Sequence, residues 1–447
     1  MKRIIIIAEL FAPNNHIASV RVTKLAKLFK TIAGYNITVI SRKLKSNEII
    51  DPVLNDDLRY IDNHIIIDYS KIIHSILGFQ KSLVRVKHSK IDVKISSASA
   101  DNSLKAKLYN KILSFIRNSL NTTIDHMSIK NYTKKAIKYI KKNPAPFDVV
   151  LSSFEPFSAH LIGGRIKELN PLAFWIADFR DPVLTPGTPK KYIKYFESYI
   201  NKVSKTADVF TGVSDACIKV FKEKCKNRLF TICNGFDRDD LKNITPNKSE
   251  KLTFTYTGQL YRGQRDLGII LKAINELITD KSIDKNNILI CYAGNSEIVF
   301  KQQIGKYNLS EMSNSFGFID RRESLQLQLS SSILLLASWN NIGDTGVVTG
   351  KFLEYLMINK PIICAVAGNL ADSQLKEMIT EANNGVVWEE ANDAIDYPIL
   401  KSYILEQYNR FMNNETLLFN PNMEYIEQYN YTNITRQFIN LIENYCK

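Results

Sequence analysis

Three short stretches hold residues whose types and spacing suit chemistry on an anionic ligand. The first runs from Gly343 through Thr345, Gly346, Thr349, Gly350 and Lys351 to Glu354. It follows an apolar run, Ile333–Ala337, and reads as loop, helix, turn and strand. Thr349 is a suitable N-cap for a helix beginning near Gly350, and Lys360-Pro361 stops that helix. A glycine-rich loop entering a helix presents unpaired N–H groups and the positive end of the helix dipole, which together attract an anion. Glu354 falls in about the first turn, where its carboxylate can accept two hydrogen bonds from a vicinal diol such as a ribose carries. The plainer alternative is a glutamate that only complements the dipole.

The second stretch is Phe174–Pro182. A strand delivers Asp178 to its carboxyl end, and Arg180 and Asp181 follow in the loop. Two aspartates around one arginine are costly if buried unpaired. The structural alternative to an active-site role is an ion pair of Arg180 with Asp178 or Asp181. The third stretch begins with the strand Leu252–Thr257 and continues through Gly258, Arg262 and Arg265 into a helix from Leu267. Gly258 permits a close approach to the backbone. Either arginine can neutralise a pyrophosphate, and Arg265 lies nearer the helix start. Gly294 ends a further strand, Ile288–Ala293, and Phe318 follows another Gly turn.

The elements that position these residues repeat one order. Arg3–Ala8 is a strand, then comes a loop with Pro13, His16, Ser19 and Arg21, then a helix with Val22, Leu25, Ala26, Leu28 and Phe29 on its apolar face. Gly34 ends that helix and Ile37–Ile40 is a second strand, completing a βαβ unit whose loop lies where open α/β sheets bind ligands. No G-x-G-x-x-G occurs there, which argues against a dehydrogenase-type dinucleotide site. Amphipathic patterns mark helices over 104–116 and 129–140, and a last stripe runs Ile434, Phe438, Leu441, Ile442, Tyr445. A second series of strands starts at Leu252, so the chain reads as two similar α/β domains.

With 447 residues, 45% hydrophobic and 23% charged, the chain is globular and long enough for two or three domains. No apolar run reaches the roughly 20 residues of a membrane span. The six cysteines show no metal-ligand spacing, which fits reduced thiols in the cytosol. The net charge is +14, and residues 81–142 hold fifteen basic and three acidic side chains, a net +12. An anionic membrane surface is the first reading of that excess, a solvated basic face the second, and nucleic acid a distant third, since no nucleic-acid motif accompanies it.

Lys351-Phe352-Leu353-Glu354-Tyr355-Leu356 with Asn359-Lys360-Pro361-Ile362 resembles the nucleotide-sugar motif of retaining glycosyltransferases of the GT-B fold, family-four type. The loop before Arg21, the Asp178-Phe179-Arg180-Asp181-Pro182 run, and Asn234-Gly235-Phe236-Asp237 at a domain junction match the same family. The resemblance covers most of the chain and is weakest over 47–124. It implies two facing doubly wound domains with a final helix crossing back to the first: 1–240 on the acceptor side, a linker 241–251, a nucleotide-sugar domain 252–398, and a helical segment 399–447.

It also implies roles for the residues. Asp178, Arg180, Asp181 and Arg265 would be catalytic. Gly258, Arg262, Arg265, Gly294, Phe318, Thr345, Gly346, Thr349, Gly350, Lys351 and Glu354 would bind the donor, with Glu354 on the ribose, the backbone near Phe318 on the base, and an arginine on the departing diphosphate. His16, Ser19 and Arg21 would face the acceptor. Many relatives carry a histidine at the position of Asp178, and the family has a second glutamate where this chain has Gly346. The expected activity is metal-independent transfer from a nucleotide-diphosphate sugar, UDP-linked first, to a saccharide or lipid-linked acceptor in bacterial surface polysaccharide synthesis. No other cofactor and no nucleic acid is expected, and the location is the cytoplasm, peripheral on the inner membrane face. The alternatives are a nucleotide-sugar epimerase on the same fold, or an inactive nucleotide-sugar-binding scaffold, which the Gly346 departure keeps open.

Overall fold

Four isoleucines in a row leave Arg3–Ile7 no polar face, so this strand must be covered on both sides. In the computed structural model it is an interior strand of a parallel sheet. The structure describes residues 1–45, 48–77, 124, 126–154, 156–184, 188, 190–225, 228–345 and 348–446. Of Arg262 and Thr345 it describes the backbone alone. Gly346, the expected helix over 104–116 and most of the basic stretch 81–142 lie outside the described residues.

The described strands are numbered in chain order. The first unit holds β1 (Arg3–Ile7), β2 (Asn36–Arg42), β3 (Asn63–Ile67), β4 (Val149–Phe154), β5 (Phe174–Phe179), β6 (Val209–Gly212) and β7 (Leu229–Thr231). Their order across the sheet is β3-β2-β1-β4-β5-β6-β7, and every neighbouring pair is parallel. The order reverses between β1 and β4, where Ile4 stands beside Val149 and Ile7 beside Ser152. One face packs Ile5, Ile7, Val150, Trp175 and Phe179 with Tyr132, Ala136 and Ile140 of the helix over 126–142.

The second unit holds β8 (Leu252–Thr257), β9 (Ile288–Ala293), β10 (Ser313–Ser315), β11 (Ile333–Asn341), β12 (Asp344–Thr345), β13 (Ile362–Ala367) and β14 (Gly385–Glu389). Its parallel order is β10-β9-β8-β11-β13-β14, with β12 added antiparallel to the end of β11. The strand read as ending at Ala337 therefore continues to Asn341, and the expected open loop begins as a tight hairpin around Gly343. The order reverses between β8 and β11, the place where open α/β sheets bind ligands beyond the strand ends.

Met1–Ile50, Asp57–Ile232 and Phe438–Lys447 form the first unit, and Asp51–Asp56 with Cys233–Gln437 form the second. The chain thus changes units at Ile232, ahead of the expected break at 240. The expected boundary at 398 falls inside the helix Asp393–Met412, whose Leu400, Ile404 and Tyr408 belong to the core of the second sheet. Of the segment 399–447, only the end from Phe438 belongs with the first unit. There Phe438 is fully buried, with its ring edge-on to Phe29 at 6.3 Å.

Phe438→Ala should therefore destabilise the first unit by about 3–5 kcal/mol. Urea unfolding followed by intrinsic fluorescence measures it, and an unchanged midpoint would contradict the packing described.

Candidate functional site

One carboxylate in each unit anchors a cluster of charged and polar side chains: Asp178 near the end of β5 and Glu354 on the helix Gly350–Ile358. In the first unit, β5 carries Asp178 into the interior, where it has no exposed surface. Arg21 donates from Nε to Asp178 Oδ2 at 3.1 Å and from Nη2 to Oδ1 at 2.9 Å. Ser153 Oγ donates to Oδ2 at 3.1 Å and Thr211 Oγ1 to Oδ1 at 2.8 Å. Burial alone would raise this carboxyl, but the charge and bonds of Arg21, with the Thr211 bond, hold it below the ordinary range. The buried pair is thus Arg21–Asp178, not the Asp178–Arg180 or Asp181–Arg180 pair weighed from the sequence.

This arrangement redistributes the residues expected here. Both Asp178 oxygens are already occupied by two bonds each, so it is held as a structural anion rather than presented to a ligand. Arg21 is likewise withdrawn from the acceptor-facing role: it also donates to the Ile232 carbonyl at 2.9 Å and stacks on Phe438 at 5.4 Å. Ser19 has no exposed surface, and its buried hydroxyl has no hydrogen-bond partner among the described residues. His16, by contrast, is exposed and caps the helix Ile17–Ala33, with Nδ1 accepting from the Ala18 N–H at 3.1 Å. Loss of solvent around part of the ring, and then the charge of Arg180, pull its pKa down. Asp181 acts on it in the opposite direction, so His16, Arg180 and Asp181 share one neighbourhood. Asp181 is exposed, and Arg180 Nε donates to the Phe154 carbonyl at 2.7 Å.

In the second unit the glycine turns converge beyond β8, β9 and β10. The Gly258 N–H donates to the Ala293 carbonyl at 2.8 Å, and the Gly294 N–H to the Gly317 carbonyl at 2.8 Å. Gly258 (φ 131°) and Gly294 (φ 157°) have positive φ, and a Cβ on Gly294 would lie 2.1 Å from the Gly258 carbonyl oxygen. Tyr292 locks the corner: its hydroxyl donates to that oxygen at 2.9 Å and accepts from the Ser296 N–H at 2.8 Å. Phe318 follows Gly317 with half its surface exposed.

The helix Gly350–Ile358 enters the same region. Thr349 caps it as expected, accepting from the Phe352 N–H at 3.4 Å, and Asn359 ends it in the left-handed conformation one residue before Lys360-Pro361. Glu354 lies just past the first turn and not within it. Its side chain is 13% exposed. Lys351 Nζ lies 2.7 Å from Glu354 Oε1, and its stem passes the Cα of Gly258, with Cε 3.6 Å from where a Cβ would sit. Gln328 Nε2 donates to the same Oε1 at 2.7 Å. Burial would raise the Glu354 carboxyl, but Lys351 and then Arg321 outweigh it and hold it at about 2.

Arg321 is itself anchored by Asp240 at 2.9 Å and Asp51 at 3.6 Å. Its helix, Arg321–Ser330, starts with a capping box between Asp320 and Glu323. Arg265 lies over the Tyr261 ring at 4.4 Å, and its buried Nε has no hydrogen-bond partner among the described residues. Arg265 also eases the Tyr256 hydroxyl, which burial pushes up to about 12.

The structure therefore gathers Gly258, Gly294, Phe318, Thr349, Gly350, Lys351 and Glu354 at one sheet edge, with Arg265 on the loop after β8. Sequence reasoning missed Gln328, Arg321 and Tyr355, whose hydroxyl accepts from the Thr257 N–H at 3.3 Å. Gln328 stands three residues after the buried Leu325, the one local sign that it shares the inward helix face.

Against known proteins, no family model matches the chain and no curated protein matches it in sequence. Solved structures do match its fold. Sucrose-phosphate synthase from Thermosynechococcus elongatus superposes with a TM-score of 0.57 at 12% identity, over 99% of each chain. A variant of TarM from S. aureus, solved with fondaparinux, α-GlcNAc-glycerol and UDP, gives 0.54 at 10%, over 99% of each chain. A UDP-N-acetylglucosamine 2-epimerase gives 0.51 at 10%, over 99% of this chain and 96% of the other. The fold is GT-B, as the sequence motifs implied.

Asp178→Asn should cost about 3–5 kcal/mol of stability, because it leaves Arg21 buried against a neutral partner. Since the folded-state pKa of Asp178 is lowered, its contribution is full above the unfolded value of about 3.9 and is lost as pH falls through the folded value. Urea midpoints measured down to about pH 3 should fall less steeply for Asp178→Asn than for wild type.

Proposed function

We propose that the chain is a retaining glycosyltransferase that uses a nucleotide-diphosphate sugar, UDP-linked in the first instance, and needs no metal. The observation that carries this reading is Glu354: a carboxylate kept ionised at a sheet switch point, whose bonds from the described residues both fall on Oε1, with Oε2 assigned to a ligand. A ribose diol supplies the donors that such an oxygen lacks. Thr349 and Gly350 open the helix that carries it, and the N-terminal N–H groups of that helix are assigned to the diphosphate. Gly258 and Gly294 let the backbone approach the nucleotide closely, and the exposed Phe318 segment is assigned to the base. Arg265 and Lys351 are assigned to the diphosphate charge.

In the reaction, the bond from the anomeric carbon to a diphosphate oxygen breaks. A bond from that carbon to an acceptor hydroxyl oxygen forms on the same face, and the hydroxyl proton passes to the leaving diphosphate. Charge grows on the diphosphate as the bond breaks, so a fixed arginine stabilises the transition state more than the ground state. The acceptor, a saccharide or lipid-linked saccharide of bacterial surface polysaccharide, is assigned to His16, Arg180 and Asp181. His16 is neutral there, because Nδ1 is already an acceptor.

The helix over 126–142 supports peripheral membrane contact from the cytoplasm. It buries Tyr132, Ala136 and Ile140 and exposes Lys130, Lys134, Lys138, Lys141 and Lys142, each worth about 1 kcal/mol at an anionic surface. Among the described residues, no helix is long and apolar enough to cross a membrane. An acceptor-free epimerase is the second reading, favoured by the structural likeness to a UDP-N-acetylglucosamine 2-epimerase. An inactive nucleotide-sugar-binding scaffold is a third, favoured by Gly346 in place of the family's glutamate.

With EDTA present, one nucleotide-sugar family among UDP-, GDP- and dTDP-sugars should raise the melting temperature and release its diphosphate slowly. Glu354→Ala should abolish both effects. Affinity for the nucleotide sugar should stay flat from about pH 8 to about pH 5, since Glu354 remains ionised throughout. Binding without release, with membrane extract added, would favour the scaffold. No response to any nucleotide sugar would remove the proposal.

A further inference from the structure

We infer that Gln328 orients the Glu354 carboxylate and thereby makes the site prefer a ribonucleotide over a 2′-deoxyribonucleotide. The inference rests on the reading of Glu354 as the ribose acceptor and names what tunes it.

Gln328 has no exposed surface. Its amide nitrogen lies 2.7 Å from Glu354 Oε1, 3.0 Å from Thr257 Oγ1 and 3.1 Å from Ser324 Oγ. Its amide oxygen is buried and has no hydrogen-bond partner among the described residues. The reverse orientation would set that oxygen against an ionised carboxylate, so the nitrogen must face Glu354. The chain thus leaves a buried acceptor unsatisfied while keeping a neutral donor on one carboxylate oxygen, an arrangement that packing alone would not select.

The consequence is directional. Lys351 also reaches Oε1, but on a flexible stem with 28% of its side chain exposed, whereas Gln328 is held within the interior. Of the two, Gln328 fixes the plane of the carboxyl group, and with it the direction of the Oε2 lone pairs. A ligand with two adjacent hydroxyls satisfies an oriented carboxylate. One that lacks the 2′-hydroxyl leaves part of it without a donor, and a site built around a hydroxyl discriminates strongly against its absence. Gln328 touches no ligand in this account and is a positioning residue.

The test is calorimetric titration of the full-length chain with UDP and with 2′-deoxy-UDP. Wild type should bind UDP on the order of tenfold more tightly. Gln328→Met, similar in length but without the amide, should bring the ratio close to one, mainly by weakening UDP. A merely structural role would weaken both nucleotides alike and leave the ratio standing, which would overturn the inference. Lys351→Met serves as the second variant, since its surface position makes misfolding no obstacle. It should weaken both nucleotides and keep most of the preference, and a collapsed ratio there would overturn the assignment to Gln328. If Glu354→Ala removes the preference while Gln328→Met retains it, Gln328 alone is excluded. If wild type binds neither nucleotide, the donor-site reading falls and the inference falls with it.

Discussion

A carboxylate taken out of water must be paired, and how it is paired decides what else it can do. Glu354 is the case on which the second unit turns. Helix packing buries it, Lys351 and Arg321 keep it ionised, and Gln328 holds one of its oxygens. Arg321 in turn needs Asp240 and Asp51, so the charge at the sheet edge is tied to residues far apart in the chain. The segment Asp51–Asp56 belongs to the second unit for the same reason: Asp51 and Asp56 pair with Arg321 and Arg322, and Val53 enters the apolar core.

The first unit has a buried carboxylate of the opposite character. Asp178 receives bonds on both oxygens from Arg21, Ser153 and Thr211, and so joins β4, β5 and β6 to the first helix. A saturated anion of this kind stabilises one arrangement of the strand ends. An anion with one oxygen left over is a place for a ligand. This contrast is why the donor-site proposal centres on Glu354, and why the chemistry assigned to the first unit falls on the surface residues around His16, Arg180 and Asp181.

Much of this was legible in the sequence where the determining interactions are local. Hydrophobic runs marked the parallel strands, Gly34 and Thr349 marked helix ends, and the Gly343–Leu356 pattern marked a glycine turn followed by a helix. Non-local pairing was not legible. An ion pair of Asp178 with Arg180, two residues away, was the structural alternative the sequence offered, while Arg21, which bonds Asp178, is 157 positions away. Lys24 and Lys27 sit where the helix pattern predicts a solvated face, yet both are buried against Asp57. Gln328 escaped notice because a lone glutamine in a polar helix carries no sign of burial beyond its spacing from Leu325. The end of β11 was misplaced because Ser338, Asn340 and Asn341 break the apolar run that signals a strand, although the backbone pairing continues through them.

The most direct test of the central claim is a crystal structure of the chain with UDP bound. The ribose hydroxyls should lie within hydrogen-bond distance of the Glu354 carboxylate, and the diphosphate against the N-terminus of the helix that starts at Gly350. A nucleotide seated elsewhere, or a ribose turned away from Glu354, would contradict it.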